Sequence, residues 1–225
     1  ADFAIGAVNG KGIETGVTDG DETVQAIYGF QIDLNSSFTG EDSLDISIDA
    51  GNAAVTAGAQ TGPLAEFDLN GGGDGLVVDG VSYTFPLGDK TTVIVGDNTD
   101  GSALFNVACV YGGPSTTLDD CGAPMAGITG GGVALGASYD IGAGFTAAAG
   151  FQFTETGIAT KENNDSYAVN LAYTADTYGA SVTYGSYETG TNGPDNKYYT
   201  AINGYWTPEG LPSISAGYEQ GTIGG

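Results

Sequence analysis

The chain has 225 residues, with 28 Asp and Glu against four Lys, no Arg and no His, for a formal net charge of −24 at pH 7. That balance excludes nucleic-acid binding, which needs Lys and Arg to neutralise phosphates, and its plainest meaning is solubility in salty surroundings. With 40 Gly, 13 Tyr and no stretch of helical periodicity, the length suits one large all-β domain.

Strand-like runs are expected over about 2–10, 24–36, 43–52, 75–87, 90–97, 131–141, 144–155, 165–175, 178–188, 197–207 and 212–220. The chain opens directly on the first of them, ADFAIGAVNG, so any leader is taken to have been removed. In the second, AIYGFQIDLN, Tyr28, Phe30, Ile32 and Leu34 share one face and Gln31, Asp33 and Asn35 the other. The third, SLDISIDAGN, sets Leu44, Ile46, Ile48 and Ala50 against Asp45, Ser47 and Asp49. Acidic residues are poor strand formers, so two carboxylates on one short strand point to a wet surface beneath it. The later runs repeat the pattern with aromatics at both ends of the apolar face: Phe145, Ala147, Ala149, Phe151 and Phe153; Tyr167, Val169, Leu171 and Tyr173; Tyr178, Ala180, Val182 and Tyr184; Tyr198, Thr200, Ile202, Gly204 and Trp206. Their opposite faces carry Thr146, Gln152, Thr154, Asn170, Ser181, Thr183 and Asn203.

The connections alternate between long (KGIETGVTDGDET, Asn52 to Asp74, Asn98 to Gly130, TGIATKENND, ETGTNGPDN) and short (FTGED, LGDK, DIGAG, TADTY, TPEGLP). In an up-and-down antiparallel sheet this sorts the short turns to one end and the long loops to the other. A transmembrane β-barrel sorts its loops this way, and aromatic girdles flank its lipid-facing band. The expected fold is therefore a transmembrane antiparallel up-and-down β-barrel. A soluble β-sandwich, with the aromatic face as its core, is the competing arrangement. No hydrophobic run approaches the ~20 residues of a spanning helix. In a barrel, Gln31, Asp33, Asn35, Asp45, Ser47 and Asp49 line the pore, and an acidic wall of this kind favours cations over anions.

Cys109 and Cys121 stand in one Gly/Pro-rich segment, too far apart for a CxxC pair, and with no His a zinc site is not expected. A disulfide within the loop is the expected state, and it implies an oxidising compartment. DLNGGGDGLVV (68–78) holds one copy of a glycine/aspartate pattern known from calcium-binding β-rolls, but a single copy cannot stack. Calcium among the acidic loops is a weak alternative, and no other cofactor is expected. No His is present to act as a general base, and GASYD and YGSYE are not nucleophile elbows. An enzyme is not expected.

SSFTGEDSLDISIDAGN (36–52) and GYWTPEGLPSISAGYE (204–219) resemble the cyanobacterial outer-membrane porins, a group related to carbohydrate-selective porins and carrying an N-terminal S-layer-homology domain. The resemblance implies passive diffusion of small hydrophilic solutes and inorganic ions, a setting in outer-membrane lipid, trimers of the kind porins commonly form, and peptidoglycan as the partner of the N-terminal domain. Neither that domain nor a C-terminal strand ending in an aromatic is found here. Eleven strands is also an odd number, so the chain is expected to be part of a larger, even-stranded barrel. By analogy with porins, the third long loop, 98–130, is the constriction candidate, with Asp97, Asp100, Asp119 and Asp120 in or beside it. The alternative function is a secreted or cell-surface structural β-protein of the S-layer or adhesin kind, with acidic calcium-binding loops. The long Gly-rich loops would also permit a role as a receptor for phage or another surface partner.

Overall fold

The computed structural model describes residues 1–6, 24–52, 73–109, 122–128, 131–160, 163–188 and 196–223. Eleven strands follow in chain order: β1 (Asp2–Gly6), β2 (Gln25–Ser36), β3 (Ser43–Gly51), β4 (Val77–Pro86), β5 (Thr91–Asp97), β6 (Val133–Gly142), β7 (Phe145–Phe153), β8 (Asp165–Thr174), β9 (Tyr178–Tyr187), β10 (Lys197–Trp206) and β11 (Ile214–Ile223). They make one antiparallel up-and-down sheet whose spatial order is the chain order, and the sheet is not closed among the described residues. Those residues contain no helix.

The expected strands are all present, and the differences lie at their ends. Residues 7–10 of the first expected strand lie outside the described residues. The last strand starts later than expected and runs to Ile223, because its pairing with β10 continues to Lys197↔Ile223. Gly221 is covered by the ring of Tyr199 directly opposite. Connections at one end of the sheet are short (37–42, 87–90, 143–144, 175–177 and 207–213). Those at the other span 7–24, 52–76, 98–132, 154–164 and 188–196. The tightest turn follows a bulge between Asp140 and Gly142 and places Gly142, Ala143 and Gly144 at positive φ, the left-handed geometry a two-residue hairpin needs.

The strands fall into two compact units. The first holds β1, β2 as far as Asn35, β3 from Asp45 and the start of β4. Here β1 pairs with β2 from Asp2↔Gly29 to Gly6↔Gln25, and Ile27 is fully buried. Asn52, just past the end of β3, ties it to β2. Its Oδ1 accepts from the Tyr28 N–H at 2.8 Å and its Nδ2 donates to the Ala26 carbonyl at 3.1 Å. The Ala-Gly-Asn ending of β3 thus has a mechanical reason.

The second unit holds residues 36–44, the rest of β4 and β5 to β11. From β7 to β10 the register puts like beside like, as in Leu171↔Val182 and Val182↔Ile202 on one face and Asn170↔Thr183 on the other. Exposure then runs opposite to that of a soluble core. Leu171, Val182 and Ile202 are 47%, 40% and 58% exposed, whereas Asn170, Thr183 and Asn203, one residue away on the same strands, are 4%, 0% and 3%. Aromatics bound the apolar face at both ends. Near the short turns Tyr173 packs on Phe145 at 4.8 Å and on Tyr178 at 5.6 Å, with Trp206 opposite Tyr178. Near the long loops Phe151 stands opposite Tyr167, and Tyr184 stacks on Tyr198 at 6.4 Å. Six residues separate Tyr167 from Tyr173, about 20 Å of extended strand.

The same unit contains the SSFTGED turn. Asp42 Oδ1 accepts from the hydroxyls of Ser37 and Thr39 and from the N–H groups of Phe38 (3.0 Å) and Thr39 (2.8 Å). Its Oδ2 accepts from the Tyr83 hydroxyl. Gly40 sits at φ +88° to let the chain curl around the carboxylate. The Ser37 hydroxyl above all, then that of Tyr83 and the Thr39 N–H, hold the Asp42 carboxyl well below the usual carboxylate range.

Candidate functional site

The six residues predicted to line a pore come together on one face of β2 and β3. Ser47 Oγ donates to Asp33 Oδ1 at 2.7 Å, and Gln31 Nε2 donates to both Asp33 Oδ1 and Ser47 Oγ. Asn35 Nδ2 donates to Asp45 Oδ1. Asp49 lies further along β3, with its Oδ1 buried and without a hydrogen-bond partner. The sequence reading missed Asp79 at the start of β4, whose charge acts on Asp49 together with that of Asp33. Amides and a hydroxyl thus hold the carboxylates in place, and no lysine takes part in these bonds. Among the described residues no three acidic, Cys or His side chains are grouped so that they could hold a metal ion. Residues 68–72 of the glycine/aspartate segment lie outside the described residues.

The second surface is the polar face of β7 to β10, and most of it is covered. Two legs of the long β5–β6 connection, 98–109 and 122–128, lie across it. The legs are joined to each other where Ser102 Oγ donates to the Ile128 carbonyl and accepts from the Ile128 N–H, both at 3.0 Å. Strands β7, β8, β9 and β11 each supply a side chain that holds the backbone of this strap. On β7, Gln152 Oε1 accepts from the Gly101 N–H at 3.1 Å while Nε2 donates to the Thr99 carbonyl at 3.0 Å. On β8, Asn170 Oδ1 accepts from the Asn106 N–H at 3.2 Å and Nδ2 donates to Thr183 Oγ1 at 2.9 Å. On β9, Ser181 Oγ accepts from the Ala108 N–H at 2.9 Å, and the Tyr187 hydroxyl donates to the Gly127 carbonyl. On β11, the Glu219 carboxylate accepts from the Ala126 N–H at 2.7 Å and the Met125 N–H at 3.1 Å. Each such bond contributes about 1 kcal/mol net, and losing one partner leaves a buried group unsatisfied at greater cost.

Glycines in the sheet make the close approach possible. A Cβ on Gly150 would stand 1.9 Å from the Gly101 carbonyl oxygen, and one on Gly136, its register partner, 2.9 Å from the same atom. On Gly185 it would lie 2.5 Å from the Ala126 carbonyl oxygen. Gly136, Gly150, Gly185 and Glu219 are site residues that the sequence reading did not single out. The signal was present, since a Gly inside a strand marks a place where another backbone comes near.

The loop predicted to constrict the pore is therefore this strap. Of its predicted acids, Asp97 ends β5 and Asp100 begins the strap, both exposed, whereas Asp119 and Asp120 lie outside the described residues. The strap segments that touch the sheet are neutral: Ala108, Ala126 and Ile128 are fully buried. Cys109 is described and Cys121 is not, so the expected Cys109–Cys121 bridge lies outside the described residues. No family model and no curated protein matches this chain.

Proposed function

We propose that the chain is the membrane-spanning sheet of an outer-membrane porin, a passive diffusion channel for small hydrophilic solutes and inorganic ions that prefers cations. One observation carries the reading. The face of β7 to β10 rich in Leu, Val, Ile and aromatic residues is exposed, while the face rich in Asn, Ser, Thr and Gln is buried beneath a strap. A soluble sandwich buries its apolar face, and soluble monomers seldom leave an apolar patch of more than a few hundred Å² open to water. Lipid is the solvent in which this surface costs nothing. Strands β6 to β11 are 9 or 10 residues long, which suits a tilted transmembrane strand of ~9–11 residues. Lipid also excludes an open sheet edge, so in this reading further strands close the barrel. The polar faces line its lumen, the strap narrows it, and Asp33, Asp45 and Asp49 supply the cation preference.

Residues 36–52 and 204–219 remain the grounds for a porin of the cyanobacterial, S-layer-homology-bearing kind. The setting would then be the outer membrane of a Gram-negative-type cell. Trimers and attachment to peptidoglycan belong to the same proposal.

The test is a reversal potential across a planar bilayer under a KCl gradient, with the full-length protein beside an Asp33/Asp45/Asp49→Asn variant. Discrete conductance steps with a cation-selective potential that shrinks in the variant are expected. Steps indifferent to the variant would move selectivity off this wall. Folded protein that gives no steps, and that leaves membranes with salt or chelator rather than detergent, would favour the structural surface protein.

A further inference from the structure

At the long-loop end of the second unit, beside the strap, lies a cleft of about 360 Å³ lined by Met125, Ser166, Tyr187, Glu188, Lys197 and Tyr199 among others. Its walls are held in place. Tyr187 and Tyr199 meet edge to face at 5.6 Å, and the Tyr187 hydroxyl is bonded to the strap at Gly127. Tyr199 packs on the Ala123, Ala126 and Ala201 cluster, and Glu219 seats the Met125 backbone. Lys197 stands opposite Tyr187 in the register, and Glu188 follows Tyr187 at the strand end. One cation and one anion therefore line the cleft together with two tyrosines and a methionine.

The lysine is the informative member. The chain has four lysines against 28 carboxylates, so a free anion is repelled before it reaches Lys197. A free cation finds many carboxylates elsewhere and gains nothing from Lys197. A molecule bearing both charges approaches without net repulsion and can satisfy Glu188 and Lys197 together, while an apolar substituent lies against the tyrosines and Met125. We infer that this cleft is a binding subsite for a small zwitterion, namely an α-amino acid with an apolar or aromatic side chain. In a porin it would hold such a solute at the channel mouth. The binding itself needs no conduction.

The experiment is ligand-observed saturation-transfer NMR on the full-length protein in detergent micelles. The probes are L-phenylalanine and its two half-charged relatives, phenethylamine and 3-phenylpropionate. Phenylalanine is expected to bind at least tenfold more tightly than either relative. Lys197→Met and Glu188→Gln should each weaken it about tenfold, as expected for one charge-assisted hydrogen bond, and Lys197→Arg should keep it. A native heat-modifiable band checks that each variant is folded. Phenethylamine binding equally well would reduce the effect to adsorption on an acidic protein and overturn the inference. Equal binding of 3-phenylpropionate would make it an anion site, and no binding, or binding indifferent to both variants, would overturn it too. Protein that binds phenylalanine but never conducts would count against the porin reading and leave this inference standing.

Discussion

The polar faces of β2–β3 and of β7–β11 are written in the same two-residue period, yet their polar groups are differently engaged. On β2 and β3 the side chains bond to one another, Gln31 and Ser47 to Asp33 and Asn35 to Asp45, and Gln31, Asp33 and Asn35 stay exposed. On β7, β8 and β9 side chains reach away from the sheet to the backbone of a crossing segment and are buried by it, and the half-buried Glu219 of β11 reaches the same segment. Composition decides which outcome follows. Carboxylates grouped on one face repel one another and need water, in keeping with the exposure of Gln31, Asp33 and Asn35. Neutral amides and hydroxyls can be covered once each has a backbone partner, and glycines give that partner room. Alternation alone thus locates a wet face. Its charge and its glycines tell whether it stays wet.

The comparison can be broken most decisively from the far side of the covered strands. Leu171→Arg lies mid-strand on the exposed apolar face. In lipid it should cost about 2–4 kcal/mol, whereas on a water-facing surface it would change stability by less than ~0.5 kcal/mol. Urea unfolding in liposomes reads the difference. Next in size is Gly150→Val, which drives a side chain into the Gly101 carbonyl. A cost of about 1–3 kcal/mol is expected from overpacking, together with faster proteolysis of the strap and, in the proposed channel, a larger single-channel conductance. The equivalent substitution at Gly88 strains its own turn, at φ +77°, but its Cβ would meet nothing within 4 Å, so it should leave the strap seated.

Asn170→Ala is finer. It strips one acceptor from the strap and should lower local stability by about 1 kcal/mol, read as roughly fivefold faster hydrogen exchange at Asn106 and no change on β2 and β3. The smallest effect is confined to acid. Asp42 titrates well below its ordinary value of 3.8 because it is hydrogen-bonded in the folded turn. Its contribution is therefore present above that value and lost as pH falls through the lower folded-state value. Thermal midpoints should drop as pH falls below about 4, and Asp42→Asn should flatten that drop. A drop unchanged in the variant would assign acid sensitivity to the acidic wall.

Much of this was legible in the sequence. The strands, the long–short sorting of connections and the two faces of β7 to β10 follow from periodicity, because one face of each strand is uniformly apolar. The grouping of Gln31, Asp33, Asn35, Asp45, Ser47 and Asp49 follows from the same parity on two neighbouring strands. Asp79 escaped notice because VVDGVSY lacks a clean alternation. The strap was legible only as a loop. Its seating depends on which side chains of four later strands point at it, a matter of register rather than pattern. Glu219 is the clearest case, since one carboxylate in GYEQG gives no local sign that its partners are Met125 and Ala126. Asp97 and Asp100 were identified from their charge, but the strap meets the sheet through its backbone and neutral side chains.

The anchors of the strap also prescribe an order of assembly. The bonds of the first leg lengthen along the sheet, from 51 residues for Gly101–Gln152 through 64 for Asn106–Asn170 to 73 for Ala108–Ser181, and those of the second leg from 60 for Gly127–Tyr187 to 93 for Ala126–Glu219. Closing such long loops is entropically costly until the strands that carry the anchors are already paired. The strap is therefore laid down last, fastened strand by strand, and its final fastening waits for β11. A chain arrested before β11 pairs would carry the same hairpins with the strap's far leg lacking its bonds to Glu219 at Met125 and Ala126, which makes resistance of that leg to proteolysis a marker that assembly has finished.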